Sequence, residues 1–258
     1  MKTLELKGIT KKYKVFLAVD NVSFSVAPGE ILGYLGPNGA GKTTTIKILA
    51  GLLEQTEGRF FYQGKDVKND LYGFKKKMGY VPEQSEIYPH LSAYDYLLMV
   101  GRLRRIPETI LIEKIERFME LFSLTTDMYS LISSFSKGMI QKVLISAALL
   151  HNPEILLLDE PLSGLDVTTG LILKDLIRQL AGIGKIIIYS SHILEIVEKI
   201  CSRIVIIHRG RIVADDSVEN LRNLMKLPSL EDIFSQLVEQ SDTEKIAKGM
   251  VEAMRFDV

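Results

Sequence analysis

The sequence predicts an α/β fold in which a mainly parallel sheet surrounds a phosphate-binding loop, and three observations carry that expectation. GPNGAGKTT, Gly36 to Thr44, fits the pattern G-x-x-x-x-G-K-[ST], with Gly36, Gly41, Lys42 and Thr43 in register. The loop lies between EILGYLG, a short apolar run of strand type, and TTIKILAGL, which carries apolar residues at helical spacing. Two later runs, EILLLDEP and KIIIYSSH, are apolar throughout, as strands covered on both faces of a parallel sheet are, and a helical pattern follows each.

Ahead of the loop, LELKGITKKY and the segment from Val19 to Val26 alternate in short apolar runs, which predicts antiparallel strands. Tyr13 lies between them, where its ring can stack on a nucleobase or equally serve as a half-buried strand tyrosine. GRFFYQGKDV, Gly58 to Val67, predicts a strand and a turn, and MGYVPEQ, Met78 to Gln84, a strand that ends at Pro82. From about Ser85 to Asn152 the period becomes helical in AYDYLLMVGRL, IEKIERFMELF and GMIQKVLISAALL, with Pro107 at a helix start and a polar break at Ser133 to Ser136. This block is expected to be an all-helical insertion. VTTGLILKDLIRQLAG and ILEIVEKIC then read as helices, and RIVIIHRGRIVAD as a hairpin turning at Arg209 and Gly210. Beyond Ser217, ENLRNLM, LEDIFSQLVEQ and EKIAKGMVEAM predict three short amphipathic helices.

Composition narrows the class. The 258 residues are 47% hydrophobic and 25% charged, ordinary values for a globular chain with a sizeable core. Lys and Arg number 32, as do Asp and Glu, so no long-range field is expected to draw the chain to nucleic acid or to anionic lipid. The run Lys75 to Lys77 is expected to be a solvated face. One cysteine, Cys201, excludes an internal disulfide and fits a reducing compartment. The N-terminal stretch lacks the apolar segment of a secretory signal, and no apolar run approaches the roughly 18 residues of a membrane span.

The loop's chemistry is phosphate binding. Its glycines let successive N–H groups turn inward at phosphate oxygens, and the helix starting near Lys42 adds the positive end of its dipole. Lys42 is placed to reach the β and γ phosphates, and the Thr43 hydroxyl to bind the accompanying Mg²⁺. In open α/β sheets ligands lie beyond the carboxyl ends of the strands, so polar residues ending apolar strands are candidates. Asp159 ends ILLL and is placed to hold Mg²⁺, and Glu160 suits a general base for the attacking water. His192 ends KIIIYSS and can donate to the γ-phosphate or orient the base, while Gln84 can complete the metal or water shell. Singly, each has a plainer reading: caps for the two acids, a core histidine, a loop amide.

These elements in this order resemble the nucleotide-binding subunit of an ATP-binding cassette (ABC) transporter. The resemblance covers Leu4 to about Asp216. It pairs Tyr13 with the family's aromatic loop, Gly36, Pro37, Asn38, Gly39, Ala40, Gly41, Lys42, Thr43 and Thr44 with Walker A, Gln84 with the glutamine loop, and Ile155 to Asp159 with Walker B. Glu160 matches the catalytic glutamate, Ser163 to Asp166 the SGLD loop and His192 the switch histidine. FSKGM, Phe135 to Met139, stands where the family signature is usually LSGGQ; Ser136 and Gly138 remain to offer a hydroxyl and a backbone N–H to a nucleotide. The departure at Lys137 and Met139, with LEDIF at Leu230 to Phe234, resembles exporter-type ATPases whose permease is a separate chain.

The resemblance implies a P-loop NTPase with a mainly parallel core sheet, an antiparallel β subdomain and an inserted helical subdomain: an ABC ATPase domain over residues 1–216, the insertion at about 85–152, and a helical tail over 217–258. It further implies ATP and Mg²⁺, a second cassette facing the first head to tail in a homodimer or heterodimer, and an integral membrane permease that holds the chain at the inner face of the cell membrane. No nucleic-acid partner and no direct lipid anchor are expected. A soluble cassette acting on ribosomes or DNA would bring two cassettes or a long coiled coil, neither of which is present, and a GTPase would bring N-K-x-D, whereas no Asn here precedes a Lys. A nucleotide-gated regulator that does not turn ATP over is the remaining alternative, and Glu160 argues against it.

Overall fold

The computed structural model describes residues 3–83, 87–225 and 250. Two antiparallel strands open the chain, β1 (Leu4–Tyr13) and β2 (Phe16–Val26), followed by β3 (Ile31–Leu35) and the loop helix α1 (Lys42–Leu49). Then come β4 (Glu57–Tyr62), β5 (Lys65–Asp66), α2 (Leu71–Lys76) and β6 (Met78–Val81). Three helices follow, α3 (Ala93–Leu103), α4 (Glu108–Leu121) and α5 (Lys137–Leu149). The chain returns through β7 (Ile155–Asp159), α6 (Val167–Gly182), β8 (Ile186–Ser191), α7 (Leu194–Ile200), the hairpin β9 (Arg203–His208) and β10 (Arg211–Asp216), and α8 (Val218–Met225).

The strands form two sheets. One is antiparallel in the order β2-β1-β4-β5; the other has six strands in the order β10-β9-β3-β8-β7-β6. In the larger sheet β9, β3, β8, β7 and β6 run parallel, and only β10 is antiparallel, on β9. This order explains the unbroken apolar runs. Leu35, Leu156, Leu158, Ile187 and Ile206 project into a core shared with α3 to α7, whereas Leu32, Leu157, Ile188 and Val205 project into a second core with α1 and the antiparallel sheet. A strand covered on both faces has no position for a polar residue until it leaves the sheet.

The order also gathers the chemistry. The carboxyl ends of β3, β8, β7 and β6 lie side by side, so the phosphate loop, Ser190 to His192, Asp159 with Glu160, and Pro82 with Glu83 emerge on one edge.

Helix starts follow capping rules. Ser92 caps α3 by accepting from Asp95 N at 3.0 Å, and Asp166 caps α6 by accepting from Thr169 N at 2.9 Å. Pro107 is the N-cap of α4, as its fixed φ suits. The sequence pattern does not anticipate α2: at six residues after a 3-10 turn over Val67–Asp70 it has no full period, and Asp70 starts it by accepting from Gly73 N. Of the three tail helices expected, ENLRNLM lies within α8, and LEDIFSQLVEQ and, apart from Met250, EKIAKGMVEAM lie outside the described residues.

Candidate nucleotide-binding site

The loop from Gly36 to Gly41 joins the end of β3 to α1, and its first and last positions have room for glycine alone. A Cβ on Gly36 would stand 2.4 Å from the Ile207 carbonyl oxygen, and Gly41, at φ 109°, has the Ala18 carbonyl oxygen 2.6 Å from where a Cβ would be. Pro37, Ala40 and Thr44 are at least partly buried, and Asn38 and Gly39 are exposed at the tip. Gly41 supplies no side-chain cap, so the first N–H groups of α1 are left to face a ligand. Underneath, Thr45 Oγ1 donates to Gly41 O at 3.0 Å and lies 3.1 Å from the Tyr34 hydroxyl, which fixes the helix start from inside the core.

Lys42 is 7% exposed and folds over the loop, its Nζ donating to Gly36 O at 2.7 Å and Pro37 O at 3.4 Å. Burial lowers its pKa, and the carboxylates of Glu160, Asp159 and Glu83 oppose that. The amine therefore sits among acids with two carbonyls as its partners, a position from which it can turn to a phosphate.

Asp159 ends β7 with no exposed surface. Its Oδ1 accepts from Ser190 Oγ, its Oδ2 is buried without a hydrogen-bond partner among the described residues, and the Thr43 hydroxyl is near the carboxyl group. Burial raises the Asp159 pKa, the Ser190 and Thr43 hydroxyls lower it, and Glu83 and Glu160 raise it further. An orphaned carboxylate oxygen beside a threonine hydroxyl suits a hard dication such as Mg²⁺, which takes one or two protein oxygens and completes its shell with water and phosphate. The residues present fit that ion.

Glu160 follows in the left-handed region at φ 49°, unusual for a long side chain and a mark of a backbone held by its surroundings. Its carboxylate is gripped at both oxygens: Oε1 lies 2.8 Å from His192 Nδ1, and Oε2 accepts from Ser191 Oγ at 3.2 Å. A carboxylate so oriented at the end of a strand can accept a proton from water. Thr43 Oγ1 donates to Glu83 Oε2 at 3.4 Å. Tyr13 is 45% exposed at the end of the β1–β2 hairpin, with Lys11 Nζ 5.1 Å from its ring centre. The structure thus brings together Lys42, Thr43, Asp159, Glu160 and His192. Gln84 lies outside the described residues.

Ser136 and Gly138 are elsewhere. Ser136 is the exposed N-cap of α5, accepting from Met139 N at 3.2 Å, and among the described residues no hydrogen bond joins this end of α5 to the phosphate loop. Instead α5 rests on the segment that follows Glu160. Gln141 Nε2 donates to Pro161 O at 3.0 Å, Lys137 Nζ to Ser163 Oγ at 2.8 Å, and Lys142 lies 3.9 Å from Asp166. Gly138 meets Gly164 so closely that a Cβ would stand 2.7 Å from its carbonyl oxygen.

Sequence reasoning missed Glu83, Ser190 and Ser191 as parts of the site. The two serines carry the same signal as His192, polar residues closing an apolar strand, and Glu83 directly follows the proline that ends β6. The site opens into a cleft of about 590 Å³ whose lining includes Thr43, Glu83, Asp159, Tyr96, Arg104 and Leu144.

Comparison with known proteins places this geometry in a family. A family model described as ABC transporter matches residues 19–163, more than half of the chain. The ABC transporter ATP-binding protein NatA of Bacillus subtilis (strain 168) is 37% identical over 229 residues, covering 88% of this chain and 93% of its own. The linearmycin resistance ATP-binding protein LnrL of the same organism is 36% identical over 82% of this chain and 68% of its own. Among solved structures, an ATP-binding subunit of an ABC transporter superposes with a TM-score of 0.85 at 30% identity, over 91% of this chain and 98% of that one. A dimeric ATP-binding cassette bound to ADP and Pi in a post-hydrolysis state does so with a TM-score of 0.76 at 25% identity, over 83% and 98%. The chain belongs to the ABC transporter family, as an ATP-binding subunit that hydrolyses ATP to energise transport.

Proposed function

We propose that this subunit drives a permease carried on a separate chain, of exporter type, and that it works with Mg²⁺ as one of two cassettes closing head to tail on ATP. The observation that carries the reading is the grip on Glu160: a carboxylate held at both oxygens, one residue beyond the buried Asp159 and across from the phosphate loop. Lys42 binds the β and γ phosphates, with the loop N–H groups from Gly36 to Thr44 around them. Thr43 and Asp159 would hold Mg²⁺, which neutralises charge on the phosphate oxygens. Glu160 takes the proton of the attacking water, and His192 keeps the carboxylate turned toward it. Tyr13 stacks on the base.

Ser136 and Gly138 serve the nucleotide of the opposing cassette. The exposure of Ser136 supports this, as does the dimeric state of one structural relative. For export, the support is the FSKGM form of the signature and the name of a relative that confers linearmycin resistance. Attachment to the membrane comes through the permease: among the described residues no helix is long and apolar enough to cross a bilayer. The test is Glu160→Gln, which keeps the shape and removes the base. It is expected to lower turnover at least about 100-fold, the lower range for general-base catalysis, while light scattering shows an ATP-dependent dimer. Turnover near wild type with no added dimer would overturn the reading.

A further inference from the structure

We infer that Gly210, at the tip of the β9–β10 hairpin, is a positioning residue for the phosphate loop: its N–H holds the Ala40 carbonyl outward and so aims the Gly41 N–H at the bound phosphates. The inference rests on the reading that the loop N–H groups from Gly36 to Thr44 surround those phosphates. Gly210 N donates to Ala40 O at 2.9 Å. Across a trans peptide the carbonyl of one residue and the N–H of the next point in opposite directions, so a partner that fixes Ala40 O also fixes the Gly41 N–H, on the far side of the same plane. Among the described residues no acceptor takes that N–H, the condition of a donor kept for a ligand.

The hairpin tip is itself held. Gly210 O accepts from Asp20 N at 2.8 Å, and Arg211 Nε donates to Asp20 Oδ2 at 2.5 Å, so β2 grips the turn from the other side. The same stretch of β2 approaches the loop: the Ala18 carbonyl oxygen lies 2.6 Å from where a Cβ on Gly41 would be and 3.0 Å from where one on Gly210 would be. Ile207, three residues before Gly210, closes on the first residue of the loop through its contact with Gly36. The end of the hairpin therefore backs the loop from Gly36 to Ala40. At φ 82° residue 210 is in the left-handed region, and a side chain there would meet the Ala18 carbonyl besides, so glycine alone keeps this geometry without strain. Gly210 touches no phosphate. It acts through Gly41, by settling which way one peptide of the loop faces before a nucleotide arrives, and a donor set in advance costs less to order on binding.

The test separates aim from stability. The full-length chain and its Gly210→Ala and Gly210→Asn variants are titrated with ADP, the affinity being read by calorimetry and the Gly41 amide followed by nuclear magnetic resonance of the isotope-labelled chain. In wild type the Gly41 amide resonance is expected to move strongly on ADP binding, as the N–H takes a charged acceptor. Gly210→Ala is expected to weaken ADP binding about tenfold, the low end for one hydrogen bond to a charged group, and to shrink the Gly41 shift. Gly210→Asn carries the side chain that best tolerates the left-handed region; it should fall between the two, and it decides the matter if Gly210→Ala does not fold. A merely structural role would lower Tm or the number of sites filled, and leave the affinity and the Gly41 shift of the folded fraction as in wild type; that result overturns the inference. An unmoved Gly41 resonance in wild type saturated with ADP would overturn the reading of the loop N–H groups and the inference with it, whereas a wild-type shift reproduced in both variants would overturn the role of Gly210 alone.

Discussion

Lys42 is a cation with nowhere better to go: two loop carbonyls hold its amine and three carboxylates face it. Phosphates are stronger partners than carbonyls, so the energy that keeps Lys42 folded over the loop carbonyls is small beside what it gains with nucleotide. Lys42→Ala is expected to lower ATP affinity at least about tenfold, the scale of one lost charge-assisted hydrogen bond of 1.5–3 kcal/mol, and to abolish turnover with an unchanged circular dichroism spectrum; unchanged ATPase activity contradicts the loop assignment. A second residue-scale prediction concerns pH. His151 Nε2 lies 3.0 Å from Met78 O, its Nδ1 is buried without a hydrogen-bond partner, and burial together with Arg104, Lys114 and Lys185 pushes its pKa down from 6.5 to about 4. Between those two values the unfolded chain binds a proton that the folded chain refuses. Stability from this residue is therefore whole above about pH 6.5 and is lost as pH falls to about 4. His151→Gln, which keeps a donor for Met78, should flatten the fall of Tm with acid across that window, and parallel curves for the two proteins would refute it. Lys42, Asp159, Glu160 and His192 were legible because each closes a fixed pattern or an apolar strand. Glu83 was not: past Pro82 there is no period to follow, and an amide beside a carboxylate gives the eye two candidates for one role.

At the scale of elements, strands were the easiest to read, since burial on both faces forces runs such as ILLL and KIII, and α2 the hardest, being shorter than two turns. What no periodicity reveals is that the start of α5 lies on the segment after Glu160, because that contact joins residues some twenty to thirty positions apart through side chains of ordinary surface type. Lys137, which breaks the usual signature, bridges to Ser163, and Gly138 leaves no room for a side chain against Gly164. The signature surface and the general-base candidate are thereby parts of one braced unit. Gly138→Ala must push the 163–166 segment away, a change of the overpacking kind that costs about 1–3 kcal/mol. It is expected to lower turnover several-fold while ATP affinity, set by the chain's own loop, stays as in wild type. Equal turnover at equal affinity would show that the brace has no part in the reaction.

The whole molecule is two packed layers around a sheet, with helices α3 to α5 set between β6 and β7 in sequence and against the other face in space. Between them runs the cleft that begins at the nucleotide site, and Lys75, partly exposed, and Lys76, exposed, line it together with Lys47, Arg104 and Arg105. Arg104 also ties the layers, donating to the carbonyls of Lys75 and Met78 from the end of α3. A basic, tyrosine-bearing cleft on a chain of zero net charge is suited to an acidic segment with an apolar anchor, in contrast to a lipid surface, which would ask for an exposed basic face. Tyr88 stands at 62% exposure, close enough to Tyr96 on the cleft wall to act on its pKa. A cytoplasmic segment of the permease carrying Asp or Glu next to an aromatic or branched residue would meet both the ring and the cations. Tyr88→Asp replaces the anchor with a charge of the partner's own sign, and Lys75→Glu with Lys76→Glu reverses the wall. Both are expected to reduce membrane recruitment of the chain when its permease is present, the second more so at low salt because its effect is electrostatic, and neither should lower ATP affinity, since Lys42 and the loop are untouched. Membrane fractionation checks it: association that is the same with and without the permease, or that survives both variants, means the cleft is not where the transporter holds its ATPase.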